Sequence, residues 1–263
     1  PPPPQPAPQQ ASPLDSPGDG AGLPPVSPGG TDLTQDPLYI LVGELTEDPV
    51  CRDGEIREAR LAEVLRRLWD GVARKPKDWV AAWQAMTIPL DKQSEALQRL
   101  LNMAFCQTED PDRAPLVVAE LVKSHKVKMR AMEEVLIAFG GNLDGINAVN
   151  ENAWHIYAQF LVHVFPKPAG SGWGWSRVGW SWQSWWQFVE KCTQTLENSV
   201  AFDVLGLILK LVQDKEGQPL TSVQVWTDGD KLDRVLAKLA ELGACSKGEV
   251  VSMLSLNGLV VDL

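Results

Sequence analysis

The 263 residues, 44% of them hydrophobic, suffice for one large domain or two small ones and exclude a wholly disordered or fibrous chain. Acidic residues outnumber basic ones 34 to 24, a net charge of −10, which argues against broad electrostatic binding to nucleic acid or to an anionic bilayer. Two features stand out: 20 prolines, most at one end, and 11 tryptophans against 2 tyrosines.

Residues 1 to 30 hold eleven prolines and almost no large apolar side chains. Such a segment cannot bury enough surface to offset its ordering entropy, so residues 1–34 read as a disordered, partly polyproline-II linker. Its PxxP spacing could serve a docking peptide, but the first basic residue is Arg52, far from any proline run. Ser12, Ser16 and Ser27 each precede proline and are candidate sites for proline-directed phosphorylation. The chain opens on Pro1, without a secretory signal, and reads as a piece of a larger cytoplasmic or nuclear protein.

Helical grammar begins near residue 35. Asp36-Pro37 is a start signal, a capping carboxylate before proline at the first helical position. Leu38, Leu41, Val42 and Leu45 then share a face. A helix is expected over 53–72, with Leu61, Leu65, Leu68 and Val72 inward and a solvated charged face outward. Further helices are expected at 77–86, 91–105, 114–124, 128–139, 148–165, 181–197, 200–213 and 229–242. Ser246-x-x-Glu249 is a capping box that introduces the last helix. Leu220 to Trp226, and Asn257-Gly258 leading into Leu259 to Val261, could form a small terminal sheet, the ending of a winged helix at most.

The expected fold is therefore mainly α over residues 35–263. Antiparallel helical hairpins would stack irregularly, as a HEAT- or armadillo-like solenoid or as a compact bundle.

Six indoles fall between Trp173 and Trp186. Trp182, Trp185, Val189, Cys192 and Leu196 repeat at spacings of three and four, a core-facing stripe. Trp173, Trp175 and Trp180 are isolated by glycine and serine on an expected loop beside Arg177. They either fold back over the core or, with Arg177, form a partner anchor, since Trp and Arg dominate interface hot spots.

No reaction is written in the chain. GxSxG, HExxH, GxGxxG and Walker A sequences are absent, and the acidic pairs Asp214/Glu216 and Asp228/Asp230 fail the calcium-loop pattern. Asp228 and Asp230 read instead as helix caps. His155 and His163 lie about 12 Å apart along one helix, too far to share a metal. The four cysteines, Cys51, Cys106, Cys192 and Cys245, form no CxxC pair and read as reduced thiols; the last three lie in or beside apolar helical patterns and are expected to be buried.

The expectation is a non-enzymatic helical scaffold that binds another protein, without cofactor, metal or membrane span. The alternative is a nucleic-acid-binding helical module using the basic cluster Lys123, Lys126, Lys128 and Arg130. That cluster otherwise reads as an ordinary solvated turn.

Overall fold

A proline and a carboxylate start the first helix, as the sequence requires. In the computed structural model, which describes residues 36–106, 112–164, 180–223, 226 and 230–261, α1 spans Pro37–Glu47. The Asp36 carboxylate accepts the Leu38 N–H at 2.8 Å, and Leu41 and Leu45 are buried on its inner face. Residues Thr34–Leu263 form one compact unit. The proline-rich leader, with Ser12, Ser16 and Ser27, lies outside the described residues.

The helix expected over 53–72 is shorter at both ends. Its first residues instead form a hairpin in which β1 (Cys51–Arg52) pairs antiparallel with β2 (Glu55–Ile56). The turn is Asp53-Gly54, with φ of 54° and 82°; a two-residue hairpin turn needs positive φ at both positions, and Asp-Gly supplies it. Helix α2 then runs over Glu58–Arg67 and widens into a π turn at Leu68–Val72, where Ala73 N–H donates to Leu68 O at 3.2 Å and Gly71 takes φ 119°.

Helix α3 (Pro76–Ala85) follows, and a 3-10 turn at Leu90–Lys92 leads into α4 (Gln93–Phe105). Next come α5 (Arg113–Lys123) and α6 (Met129–Gly140). The helix expected over 148–165 is shorter, α8 (Ala153–His163), and an unexpected short helix, α7 (Leu143–Asn147), precedes it. Asn150 makes the break. Its buried amide donates to Phe105 O at 2.6 Å, and its carbonyl accepts Asn152 N–H at 2.9 Å, a local turn that competes with helix.

Helices α9 (Trp182–Thr193), α10 (Asn198–Glu216), α11 (Lys231–Leu242) and α12 (Lys247–Leu256) complete the described fold. The capping box opening α12 is formed: Ser246 Oγ accepts Glu249 N–H at 3.3 Å, and Glu249 Oε2 accepts Ser246 N–H at 2.7 Å. Asp230 stands at the N-cap of α11 but makes no side-chain cap bond, and Asp228 lies outside the described residues.

The terminal sheet does not form among the described residues. Leu220–Ser222 is a 3-10 turn, and a single backbone bond joins Leu220 N–H to Val260 O at 3.2 Å. The Gln213 amide replaces the missing strand: it donates to Gly258 O at 3.0 Å and accepts Val260 N–H at 2.8 Å.

The twelve described helices pack mostly two apart in sequence. α1 meets α3, α3 meets α5, α5 meets α8 and α8 meets α10, while α2 meets α4, α4 meets α6 and α6 meets α9. α11 packs on α10 and carries α12. The core is one continuous apolar cluster from Leu41 to Val261. Among the described residues no helix is long and apolar enough to cross a membrane.

Candidate protein-binding groove

Helix α9 begins where the glycine- and tryptophan-rich segment ends. Ser181 Oγ accepts Ser184 N–H at 3.1 Å and sets the first turn, so the indoles that follow are placed by a capped, regular helix. Trp185 goes fully inward at 1% exposure, and its Nε1–H donates to Leu161 O at 3.0 Å. The Trp226 ring meets it edge-on at 6.0 Å. Val189 and Cys192 continue the same stripe in the core, and Leu196 is half-buried. Burial pushes the Cys192 thiol up to about 12.

Trp180 packs edge-on against Phe188 at 5.2 Å and 84°, half-buried against the core. Trp173, Trp175 and Arg177 lie outside the described residues.

The site that the sequence did not reveal lies one residue around α9. Trp182 and Trp186, one turn apart, stack with ring centroids 5.9 Å apart and planes inclined by 13°. They form the end wall of an open groove of about 410 Å³ between α9 and α11. From α11, the Arg234 guanidinium stands 6.0 Å from the Trp182 ring centroid, at the outer range of a cation–π contact. A second compartment of about 390 Å³ extends the groove past Glu190 and Lys238 toward Leu196 and Leu242.

Two details give this groove chemical character. The Trp182 Nε1–H is buried, in a residue only 8% exposed, and has no acceptor among the described residues; buried indole N–H groups ordinarily find one. The charges are also unevenly compensated. Lys238 pairs with Glu241 at 3.0 Å, whereas Arg234 and Glu190 have no ion-pair partner among the described residues. The groove thus offers a cation beside the indoles and a carboxylate farther along. Only an i, i+4 tryptophan pair in the sequence hints at this wall, and nothing there pairs it with Arg234, which lies remote in the chain.

The basic cluster presents a different picture. Lys123 pairs with Glu120 at 3.4 Å and Arg130 with Glu134 at 2.9 Å. Between them the turn is tied to α4 by the buried Gln93, whose Nε2 donates to Lys126 O and whose Oε1 accepts Lys128 N–H, both at 2.9 Å. His125 holds φ 56° within this turn. The geometry is that of a solvated, internally braced connection.

No group of three or more His, Cys, Asp or Glu side chains that could hold a metal ion occurs among the described residues. His163 is buried and its Nδ1 has no partner; burial, helped by the charge of Lys215, pushes its pKa down to about 3. His155 faces Asp112 at 3.7 Å. All four cysteines are free, but only Cys192 is buried: Cys106 is exposed and Cys245 half-exposed, a correction to the expectation for both, because each falls just past the last inward turn of its helix. Comparison with protein families, with curated proteins and with solved structures gives no match.

Proposed function

We propose that the protein is a non-enzymatic helical scaffold, of cytoplasmic or nuclear origin, that holds an extended segment of a partner protein in the groove between α9 and α11. The stacked Trp182/Trp186 wall with its unpartnered buried indole N–H is the observation that carries this reading. Large aromatic walls beside arginine are the usual anchors of protein interfaces. The groove calls for an apolar or proline side chain against the indoles, a backbone carbonyl or carboxylate to accept from Trp182, and an acidic group for Arg234. A basic residue farther along would meet Glu190. The alternating helix contacts support an irregular HEAT-like stack, an architecture that displays such grooves along one face. Trp173, Trp175 and Arg177 immediately precede α9 in the chain and remain candidate extensions of the anchor.

The nucleic-acid alternative has less support, because two of the four cations in its cluster are already paired.

Peptides selected from a displayed random library against the full chain provide the test. Ala237 is exposed and lines the groove, so Ala237→Phe should fill it without disturbing the core. Binding of a selected peptide should fall about thirty-fold or more with Ala237→Phe and with Arg234→Glu, equivalent to ~2 kcal/mol, at unchanged melting temperature. Added salt should weaken it only modestly. Peptides indifferent to both substitutions would place the binding surface elsewhere.

A further inference from the structure

A second concave site lies far from α9 in sequence, where the π turn, the start of α3 and the start of α5 meet. It is a pocket of about 460 Å³ whose polar lining consists of Arg74, Lys75 and Arg113 and whose apolar wall includes Trp79, Leu116 and Val117. In a chain of net charge −10, a pocket lined, among the described residues, by three cations and no carboxylate is unexpected.

Arg113 is immobilised there. Its Nη2 donates to Ala73 O at 3.0 Å and to Leu68 O at 3.3 Å, carbonyls at the two ends of the π turn. Its guanidinium carbon stands 4.7 Å over the Trp69 ring. Those contacts orient the planar fork and occupy one nitrogen, leaving Nε–H and Nη1 free to donate.

The nearby carboxylates among the described residues are all engaged elsewhere. Asp78 Oδ2 accepts the backbone N–H groups of Arg74 and Lys75, both at 2.8 Å. Asp70 pairs with Arg66 at 3.4 Å, and Asp112 faces His155. Elsewhere the described arginines find partners: Arg52, Arg57 and Arg60 meet Asp48, Arg67 meets Glu44, Arg99 meets Glu58 and Arg130 meets Glu134. Among the described residues, and apart from Arg234 in the groove, the arginines without a carboxylate partner are the two in this pocket.

We infer that this pocket is a binding site for a phosphate monoester carried on an apolar or aromatic body. The charge count favours a dianion over a single carboxylate, and a fixed arginine fork matches phosphate oxygens. The volume is several times that of a phosphate group, and the exposed Leu116 side chain (44%) offers apolar surface to what carries it. A phosphorylated small molecule and a phosphorylated side chain share this chemistry.

Phenyl phosphate and inorganic phosphate are the probes, titrated calorimetrically into the full chain. Phenyl phosphate should bind at one saturable site, more tightly than inorganic phosphate, which should compete with it. A peptide carrying phosphotyrosine that outcompetes phenyl phosphate would assign the source to a modified protein; one that competes no better would assign it to a small molecule. The double variant Arg74→Glu/Lys75→Glu alters only exposed side chains and should weaken binding roughly tenfold or more, ~1.4 kcal/mol. Leu116→Glu, which places a carboxylate on the apolar wall, should do the same and stands in if the first variant folds poorly. The inference is overturned if phenyl phosphate shows no saturable binding at millimolar concentration or if both variants bind it as the wild type does. It is equally overturned if only a single-stranded oligonucleotide binds, since that would be a backbone site without a monoester pocket.

Discussion

The Tyr157 hydroxyl lies 2.7 Å from the point where a Cβ on Gly140 would stand. That close approach joins the end of α6 to α8, and the same point is 2.8 Å from Cys192 O and 2.9 Å from Thr195 Oγ1 of the α9 end. The hydroxyl itself donates to Leu136 O at 2.8 Å, in the last turns of α6. Gly140 is therefore glycine for lack of space, at the junction that holds α9 and its tryptophans against the rest of the fold. Gly140→Ala should destabilise by about 1–3 kcal/mol, the cost of overpacking a tight core. Chemical denaturation checks it. Tyr157→Phe in the alanine background should recover part of the loss by removing one of the three crowding atoms, and a variant as stable as the wild type would mean that the helices separate freely.

Trp185 and Trp182 should respond differently although they lie on one helix. Trp185 is buried, hydrogen-bonded to Leu161 O and capped by Trp226, so Trp185→Ala should cost about 3–5 kcal/mol of stability. Trp182 has no hydrogen bond to lose at Nε1 and borders open space. The smaller loss on Trp182→Ala, measured by the same denaturant titration, would be the sign of a ring placed for a ligand as much as for the core.

His163 makes stability fall with acid above the carboxylate range. Its folded pKa of about 3 lies below the ordinary value of 6.5, so between these two the unfolded chain binds a proton that the folded chain refuses. Stability is complete above pH ~6.5 and declines as pH falls toward 3, by ~2 kcal/mol between about pH 7.5 and pH 5. Melting temperatures across this window should show the slope, and His163→Leu should flatten it. An unchanged slope in the variant would assign the effect to another group.

Carboxylates act lower on the scale. The Arg67 hydrogen bond holds Glu44 below its usual range, and the Arg57 hydrogen bond does the same for Asp48. Their contribution is present above the ordinary carboxylate range and is lost as pH falls through the lowered folded values. Both groups are substantially exposed, which keeps the effect small. Arg67→Ala should therefore lower stability slightly at neutral pH, and denaturant titrations at decreasing pH should show the difference from the wild type vanish once Glu44 is protonated in both.

Thiol chemistry separates surface from core. Cys106 is exposed and Cys192 is buried with its thiol raised to about 12. An alkylating reagent at about pH 8 should label Cys106 readily in the native chain and Cys192 only on unfolding, because the thiolate is the reactive species. Peptide mass spectrometry reads both positions, and early labelling of Cys192 would mean that the α9 end opens locally.

Local chemistry sufficed for much of this fold. Periodicity located most helices, since a buried face must repeat every three or four residues whatever it packs against. The Asp36-Pro37 start and the Ser246/Glu249 box formed because their partners lie within one turn. Asp53-Gly54 is equally local, yet the helix expected over 53–72 runs through it; the positive φ of both residues shows that the turn prevails. The remaining features depended on residues remote in the chain. Asn150 interrupts a helix because Phe105 O needs its amide, and Gln213 replaces a strand because the returning tail needs a backbone partner. The tryptophan stripe placed Trp182 and Trp185 in the core but omitted Trp186, which is buried as well. It could not show that Trp182 and Trp186 would border a groove with Arg234 opposite, or that Arg113 would be fixed over Trp69 without a carboxylate. A helical pattern specifies one face of one element, whereas a groove or a pocket is the space that two or three elements leave between them.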